Sequence, residues 1–88
     1  MVKPPVKTVM FRLRVGDKFE RDLIESIEVI VSEPEAEFDR LRDALEEAGL
    51  VYRLRGDAGS HYLSLTDVGQ AIADRLYEIE SLLTSKRK

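Results

Sequence analysis

Hydrophobic and polar residues alternate strictly near the start of the chain, from Thr8 to Val15. A period of two places successive side chains on opposite faces of a β-strand. One face would carry Val9, Phe11, Leu13 and Val15, and the other Met10, Arg12 and Arg14. The pattern therefore predicts a half-buried strand as the first element.

A helix is expected next, because Gly16 interrupts the alternation and a helix-start signal follows it. In the segment 17–20 the carboxylates of Asp17 and Glu20 are spaced as in a capping box. The β-branched run at 27–31 also suits a strand, so residues 26–32 stay open between helix and strand. Apolar residues recur at helical spacing at Phe19, Leu23, Ile27, Ile30 and Val31.

A second helix is predicted from about residue 33 to Gly49. The segment 32–35 repeats the capping pattern, and Pro34 is tolerated in a first turn because its missing amide has no helical partner there. Gly49 supplies the left-handed conformation that ends many helices. The buried stripe would consist of Phe38, Leu41, Leu45 and Ala48.

A hairpin and a long helix complete the predicted order of elements. The segments 50–55 and 61–65 alternate as strands around the turn-forming residues 56–60. Thr66 is expected to cap the last helix. Apolar residues then recur at spacings of three and four, at Val68, Ile72, Leu76, Ile79 and Leu83, with Ala71 and Leu82 alongside.

Two phrases of the sequence resemble the winged-helix family. Residues 41–51, Leu-Arg-Asp-Ala-Leu-Glu-Glu-Ala-Gly-Leu-Val, look like the end of that family's recognition helix. Residues 62–69, Tyr-Leu-Ser-Leu-Thr-Asp-Val-Gly, look like its last wing strand and its Leu-Thr-x-x-Gly helix start. The resemblance implies an α+β, DNA-binding domain with the hairpin as its wing and a long C-terminal helix.

The predicted order is β-α-α-β-β-α, whereas the winged-helix pattern has three helices before the wing. The resemblance therefore implies a winged-helix-like domain with a shortened front half. A chain of 88 residues has room for one such domain. Residues 1–7 and 85–88 are expected to be flexible ends.

Composition narrows the class of protein. Cysteine is absent, which excludes disulfides and thiolate chemistry and favours a cytoplasmic location. The apolar runs are too short for a membrane span or a secretory signal. Asparagine is absent and Gln70 is the single glutamine, a bias that makes a thermophilic source a working hypothesis.

No catalytic or metal-binding pattern is visible. His61, Ser60 and Asp57 supply the residue types of a triad, but one hairpin tip does not converge them as catalysis requires. Structural zinc takes four nitrogen or sulfur ligands, which this sequence does not supply. The carboxylates of the second helix lack a loop that would bring them together around a hard cation. We therefore expect a protein that is not an enzyme and uses no cofactor or metal.

Charge is distributed unevenly around a net value of −3. Residues 1–21 carry +4, residues 22–50 carry −8, and residues 51–88 carry +1. The acidic segment includes the second helix, where it would repel a phosphate backbone.

Two classes of function remain open. The leading hypothesis is a small DNA-binding, transcription-regulator-like protein. Its alternative is a protein-interaction module in which the acidic helix face docks a basic partner and the arginines are only solvated or ion-paired. The candidate DNA contacts are the basic residues of the wing, second helix and first strand, namely Arg53, Arg55, His61, Arg40, Arg42, Arg12 and Arg14.

A KH-like RNA binder is the least favoured alternative. Residues 56–59 match the Gly-x-x-Gly of KH domains, and the predicted order of elements also fits one KH type. In KH domains, however, that loop joins the first two helices, whereas in this chain the first two predicted helices are joined at residues 32–34.

The last helix carries more apolar residues than a small core needs. We therefore predict a homodimer, with the competing interpretation that the helix only closes a monomer's own core. The interface would consist of Ile72, Leu76, Ile79, Leu82 and Leu83.

Overall fold

The computed structural model of the chain describes residues 3–86. Over that range four α-helices accompany three short strands, so the fold is α+β, as predicted. The elements are α1 (Pro4–Arg14), β1 (Lys18–Phe19), α2 (Glu20–Ile27), α3 (Pro34–Glu47), β2 (Val51–Arg55), β3 (His61–Leu65) and α4 (Asp67–Lys86), with a 3-10 turn at Asp57–Gly59.

The first element is a helix, so the strand predicted for residues 8–15 is wrong. The two prolines occupy the first turn of α1, where their missing amides cost no helical bond. Val9, Met10 and Leu13 are buried together, whereas Val15 is 75% exposed. Val9 and Leu13 satisfy both a period of two and a helical period, and packing of α1 against α2 and α4 decides for the helix.

The observed order is therefore α-β-α-α-β-β-α, and three helices precede the hairpin. The front half is not shortened, which corrects the predicted order. Residues 4–7, expected to belong to a flexible end, form the first turn of α1, and Pro5 is buried. Residues 85 and 86, expected to belong to the other flexible end, are the last two residues of α4, and residues 1, 2, 87 and 88 lie outside the described residues. The KH alternative is wrong as well. The Gly-x-x-Gly segment 56–59 lies between two strands instead of between two helices, and the first described element is a helix instead of a strand.

No capping box forms at residues 17–20. Lys18 and Phe19 are extended and pair with Leu63 and Tyr62 of β3, and α2 begins at Glu20 without a side-chain cap. Residues 26–32, left open by the sequence, contain the end of α2 and a turn. This turn is closed by the Val31 amide, which donates to the Ile27 carbonyl at 3.1 Å.

The bounds predicted for the second helix are confirmed in α3. Gly49 follows it with a φ of +77°. Phe38, Leu41 and Leu45 are buried as expected, but Ala48 is exposed because it lies at the C-cap. The capping predicted at residues 32–35 does not form, since the N-cap residue Glu33 makes no side-chain hydrogen bond to the helix.

The strands form an antiparallel sheet in the order β1-β3-β2. The predicted hairpin is confirmed, with its register running from Val51 opposite Leu65 to Arg55 opposite His61. Among the described residues, no helix combines the length and apolar character needed to cross a membrane. The buried core consists of Val9, Met10, Leu13, Leu23, Ile27, Phe38, Leu41, Leu45, Val51, Leu63 and Ala73.

Candidate nucleic-acid interface

The β2–β3 hairpin ends in a tight, hydrogen-bonded turn, which we call the tip. The Gly56 amide donates to the Ser60 carbonyl at 2.6 Å, and the Ser60 amide donates to the Asp57 carbonyl at 3.2 Å. Ala58 and Gly59 both adopt left-handed backbone, with φ values of 59° and 78°. The tip is thus a defined turn that holds the ends of both strands in register.

Arg53 of β2 is bound by the first residue of α2. Its Nε donates to Glu20 Oε2 at 2.6 Å and its Nη2 donates to Glu20 Oε1 at 3.2 Å. The hydrogen bond to Glu20 raises the pKa of Arg53 above its already high usual value. This candidate DNA contact is therefore permanently charged but already occupied by a carboxylate.

Arg42 of α3 binds the same carboxylate. Its Nη1 lies 3.5 Å from Glu20 Oε1 and 3.1 Å from Asp39 Oδ1, while its Nη2 lies 3.1 Å from Asp43 Oδ1. Only 12% of the Arg42 side chain is exposed. Three carboxylates therefore surround a guanidinium predicted to contact phosphate.

The outer surface of α3 is acidic. Arg40, the other basic residue of the helix, donates to Glu37 at 2.6 Å, one turn earlier. Both arginines of α3 thus have carboxylate partners within the domain, and the excess of carboxylates on this helix matches the sequence expectation that it repels phosphate. The carboxylates of α3 are Glu35, Glu37, Asp39, Asp43, Glu46 and Glu47.

Arg55 and His61 face each other across the base of the hairpin tip. Arg55 is exposed, His61 is partly exposed, and within residues 3–86 neither forms an ion pair. His61 and Ser60 line a shallow depression that also includes Glu20, Arg21 and Asp22 of α2. The tip therefore carries basic side chains that remain available to a ligand.

The sequence matches no protein-family model and no curated protein, so the comparison depends on three-dimensional structure. A ZitR variant from Lactococcus lactis superposes with a TM-score of 0.79 at 17% identity, covering 98% of this chain and 58% of that one. The AF1382 protein from Archaeoglobus fulgidus gives 0.77 at 20% identity, covering 94% and 91%. The MarR family transcriptional regulator SPO1453 from Silicibacter pomeroyi DSS-3 gives 0.77 at 23% identity, covering 97% and 59%. The chain has a winged-helix fold.

In this winged-helix domain α3 takes the place of the recognition helix and the β2–β3 hairpin is the wing. The domain spans 58% of the ZitR chain and 59% of the SPO1453 chain. It is therefore equivalent to one part of those proteins and to nearly all of AF1382.

Arg12 and Arg14 do not share a face, because residues two apart on a helix point about 200° from one another. Arg14 is held between α1 and α4, where its Nε donates to Asp74 at 2.9 Å and its guanidinium lies 4.1 Å from the centre of the Tyr77 ring. Arg12 is exposed beside Lys18. The structure therefore separates both α1 arginines from the wing residues with which they were grouped.

Two functional candidates escaped the sequence reasoning. Glu20 was assigned to a capping box, but its carboxylate lies between Arg42 and Arg53. Arg21 received no role, although it lies beside His61 at the base of the wing. No local signal marks either role, since Glu20 meets α3 and β2, and Arg21 meets the start of β3, only in the folded domain.

The last helix of the winged-helix domain exposes a line of apolar side chains that Arg75 interrupts. Gly69, Ala73 and Leu76 face the core instead, which removes Leu76 from the predicted dimer surface. Exposed Arg75 lies within the line, between Ile72 and Ile79. We call the α4 seam the residues Val68 (57% exposed), Ile72 (38%), Ile79 (53%), Leu82 (63%) and Leu83 (51%).

Proposed function

We propose that this winged-helix domain is a DNA-binding protein of the transcription-regulator type that contacts duplex DNA mainly through its wing. The observation that carries the proposal is the pair Arg55 and His61 at the base of the wing tip, basic side chains without an internal partner among the described residues. The similarity in fold to SPO1453, a transcriptional regulator, supports the same class of function.

The roles of the wing groups follow from their chemistry. Arg55 provides a planar, permanently charged fork that matches two phosphate oxygens. His61 supplies a shorter-range donor to the same strand. Such contacts position a protein on the duplex without reading sequence, and the acidic α3 restricts them to the wing.

The test is binding to a fluorescent random-sequence duplex, measured by anisotropy across a salt series. Reversing one wing charge with Arg55→Glu is expected to weaken binding about tenfold and to flatten the salt dependence by at least one phosphate contact. Lys3→Glu makes the same charge change at the start of α1 and is expected to have a smaller effect. Equal losses in both variants would contradict a wing contact, and absence of binding at low salt would contradict DNA binding itself.

A protein-interaction module is the second candidate, because the α3 surface is acidic and its arginines are occupied by carboxylates. The partner would then carry a basic surface. Calorimetric titration with a lysine-rich peptide tests this candidate. This function is favoured over the first if the unaltered protein binds the peptide but not DNA, and if Glu46→Lys plus Glu47→Lys abolishes binding of the peptide.

We also infer that two copies of the domain pair through the α4 seam. Positions 68, 72, 79 and 82 follow the alternating four- and three-residue spacings of a coiled-coil interface with Arg75 filling the intervening position, and each apolar member of the seam is more than a third exposed. An exposed apolar line of this kind is stabilised when an identical helix covers it. Pairing would place two wings on one assembly.

A further inference from the structure

The side chain of Glu20 connects the start of α2, the recognition helix and the wing. Its carboxylate binds Arg53 of the wing through two hydrogen bonds, of 2.6 and 3.2 Å, and Arg42 of α3 through a third of 3.5 Å. Only 14% of the Glu20 side chain is exposed. One carboxylate therefore occupies two of the guanidinium groups on the surface where a winged helix meets DNA.

This pairing uses the same chemistry as phosphate recognition. A guanidinium presents its paired N–H groups to a carboxylate and to a phosphate in the same planar geometry, so the N–H groups that donate to Glu20 are not available to a phosphate while that pair is formed. Asp39 and Asp43 also contact Arg42, but their side chains are 62% and 69% exposed, and water screens such pairs strongly. Glu20 is the partner from which the solvent is largely excluded.

We propose that Glu20 competes intramolecularly with DNA phosphate for Arg42 and Arg53, and thereby sets how tightly the domain binds DNA. With Glu20 in place, the wing binds through Arg55 and His61 alone. When the Glu20 carboxylate is displaced or neutralised, the Arg53 guanidinium loses its carboxylate partner, and Arg42 keeps only its solvent-exposed partners Asp39 and Asp43 among the described residues. This inference rests on the proposed DNA-binding function and assigns its strength to one residue.

The test compares two variants that each raise the net charge by one. Glu20→Gln removes the carboxylate shared by Arg42 and Arg53, whereas Glu37→Gln removes the partner of Arg40 alone. We expect Glu20→Gln to bind duplex DNA about tenfold more tightly than Glu37→Gln and to steepen its salt dependence by up to about two phosphate contacts. Adding Arg53→Gln to Glu20→Gln is expected to abolish much of that gain.

Equal affinities of the two variants, with DNA binding by the unaltered protein, would overturn the inference and leave the proposed function intact. If no variant binds DNA, the proposed function fails. The competition by Glu20 is then tested separately by elution from heparin, a sulfated polyanion. Later elution of Glu20→Gln than of Glu37→Gln then supports the competition, and identical elution overturns it.

A second measurement uses the unaltered protein and does not depend on the variant folding. The Nε–H of Arg53 donates to Glu20, so its nitrogen and proton resonances report that bond. Titration with duplex DNA, or with heparin, is expected to shift this signal as phosphate or sulfate replaces the carboxylate. A signal that stays unchanged when the ligand is bound would overturn the proposal.

Discussion

The backbone of Gly69 lies against the carbonyl group of Leu50, and a β-carbon at position 69 would overlap that carbonyl oxygen. The same oxygen accepts a hydrogen bond from the Thr66 amide at 3.0 Å. The Thr66 hydroxyl donates to the Gly49 carbonyl at 2.7 Å and accepts from the Gly69 amide at 3.0 Å, which confirms the predicted cap. In the Leu-Thr-x-x-Gly segment, the threonine therefore caps α4 and the glycine allows the first turn of α4 to pack directly against the backbone that follows α3.

Gly69→Ala is expected to lower the free energy of unfolding by about 2–4 kcal/mol, because the new methyl group must push backbone atoms apart. Gly49→Ala is the matched control. Its φ of +77° is unfavourable for alanine, but no atom lies within 4 Å of the new methyl group, so only a conformational cost of about 1–2 kcal/mol applies. Urea denaturation followed by circular dichroism measures both. A smaller loss for Gly69→Ala than for Gly49→Ala would contradict the close approach.

Substitutions in α1 distinguish the observed helix from the strand that its sequence suggests. Met10 is 1% exposed and Val15 is 75% exposed, whereas the strand would bury Val15 and expose Met10. Met10→Ala is expected to destabilise the fold by about 2–5 kcal/mol. Val15→Ala is expected to change stability by less than about 0.5 kcal/mol. Thermal and urea denaturation of both variants give the order, and the reverse order would support the strand.

The contacts of Arg14 predict a structural role. Arg14→Ala removes its hydrogen bond to Asp74 and its position over the Tyr77 ring, and is expected to cost about 1 kcal/mol of stability. Its affinity for DNA is expected to equal that of the unaltered protein once both are folded. Anisotropy titrations at a temperature well below both melting transitions provide the comparison. A loss of affinity as large as that of Arg55→Glu would contradict the structural role and indicate that Arg14 contacts DNA.

Self-association through the α4 seam predicts a concentration-dependent dimer. Ile79→Glu plus Leu82→Glu is expected to give a folded monomer, because two carboxylates would face each other across the two-fold axis. Light scattering at high micromolar concentration measures the mass, and circular dichroism checks the fold. Leu76→Ala serves as the control, since Leu76 packs against the core and its truncation should lower stability without changing the mass. A monomeric unaltered protein under the same conditions would contradict the pairing.

The back half of the domain could be predicted from the sequence because its signals are local. Gly49 ends α3 by its own backbone conformation, residues 56–60 turn by theirs, and Thr66 caps α4 by accepting from the amide three residues further on. The acidic character of α3 is equally a property of its sequence, as is the presence of two arginines within it. These features need no knowledge of what packs against them.

Only the tertiary structure decided the front half and the availability of each candidate side chain. Val9 and Leu13 fit a strand and a helix equally well, and burial against α2 and α4 selects the helix. Glu20 and Arg53 are separated by 33 positions in sequence, so no local pattern relates them until the sheet brings the start of α2 to the wing. For the same physical reason the candidate basic residues can be proposed from the sequence, whereas only the fold determines which of them are already paired.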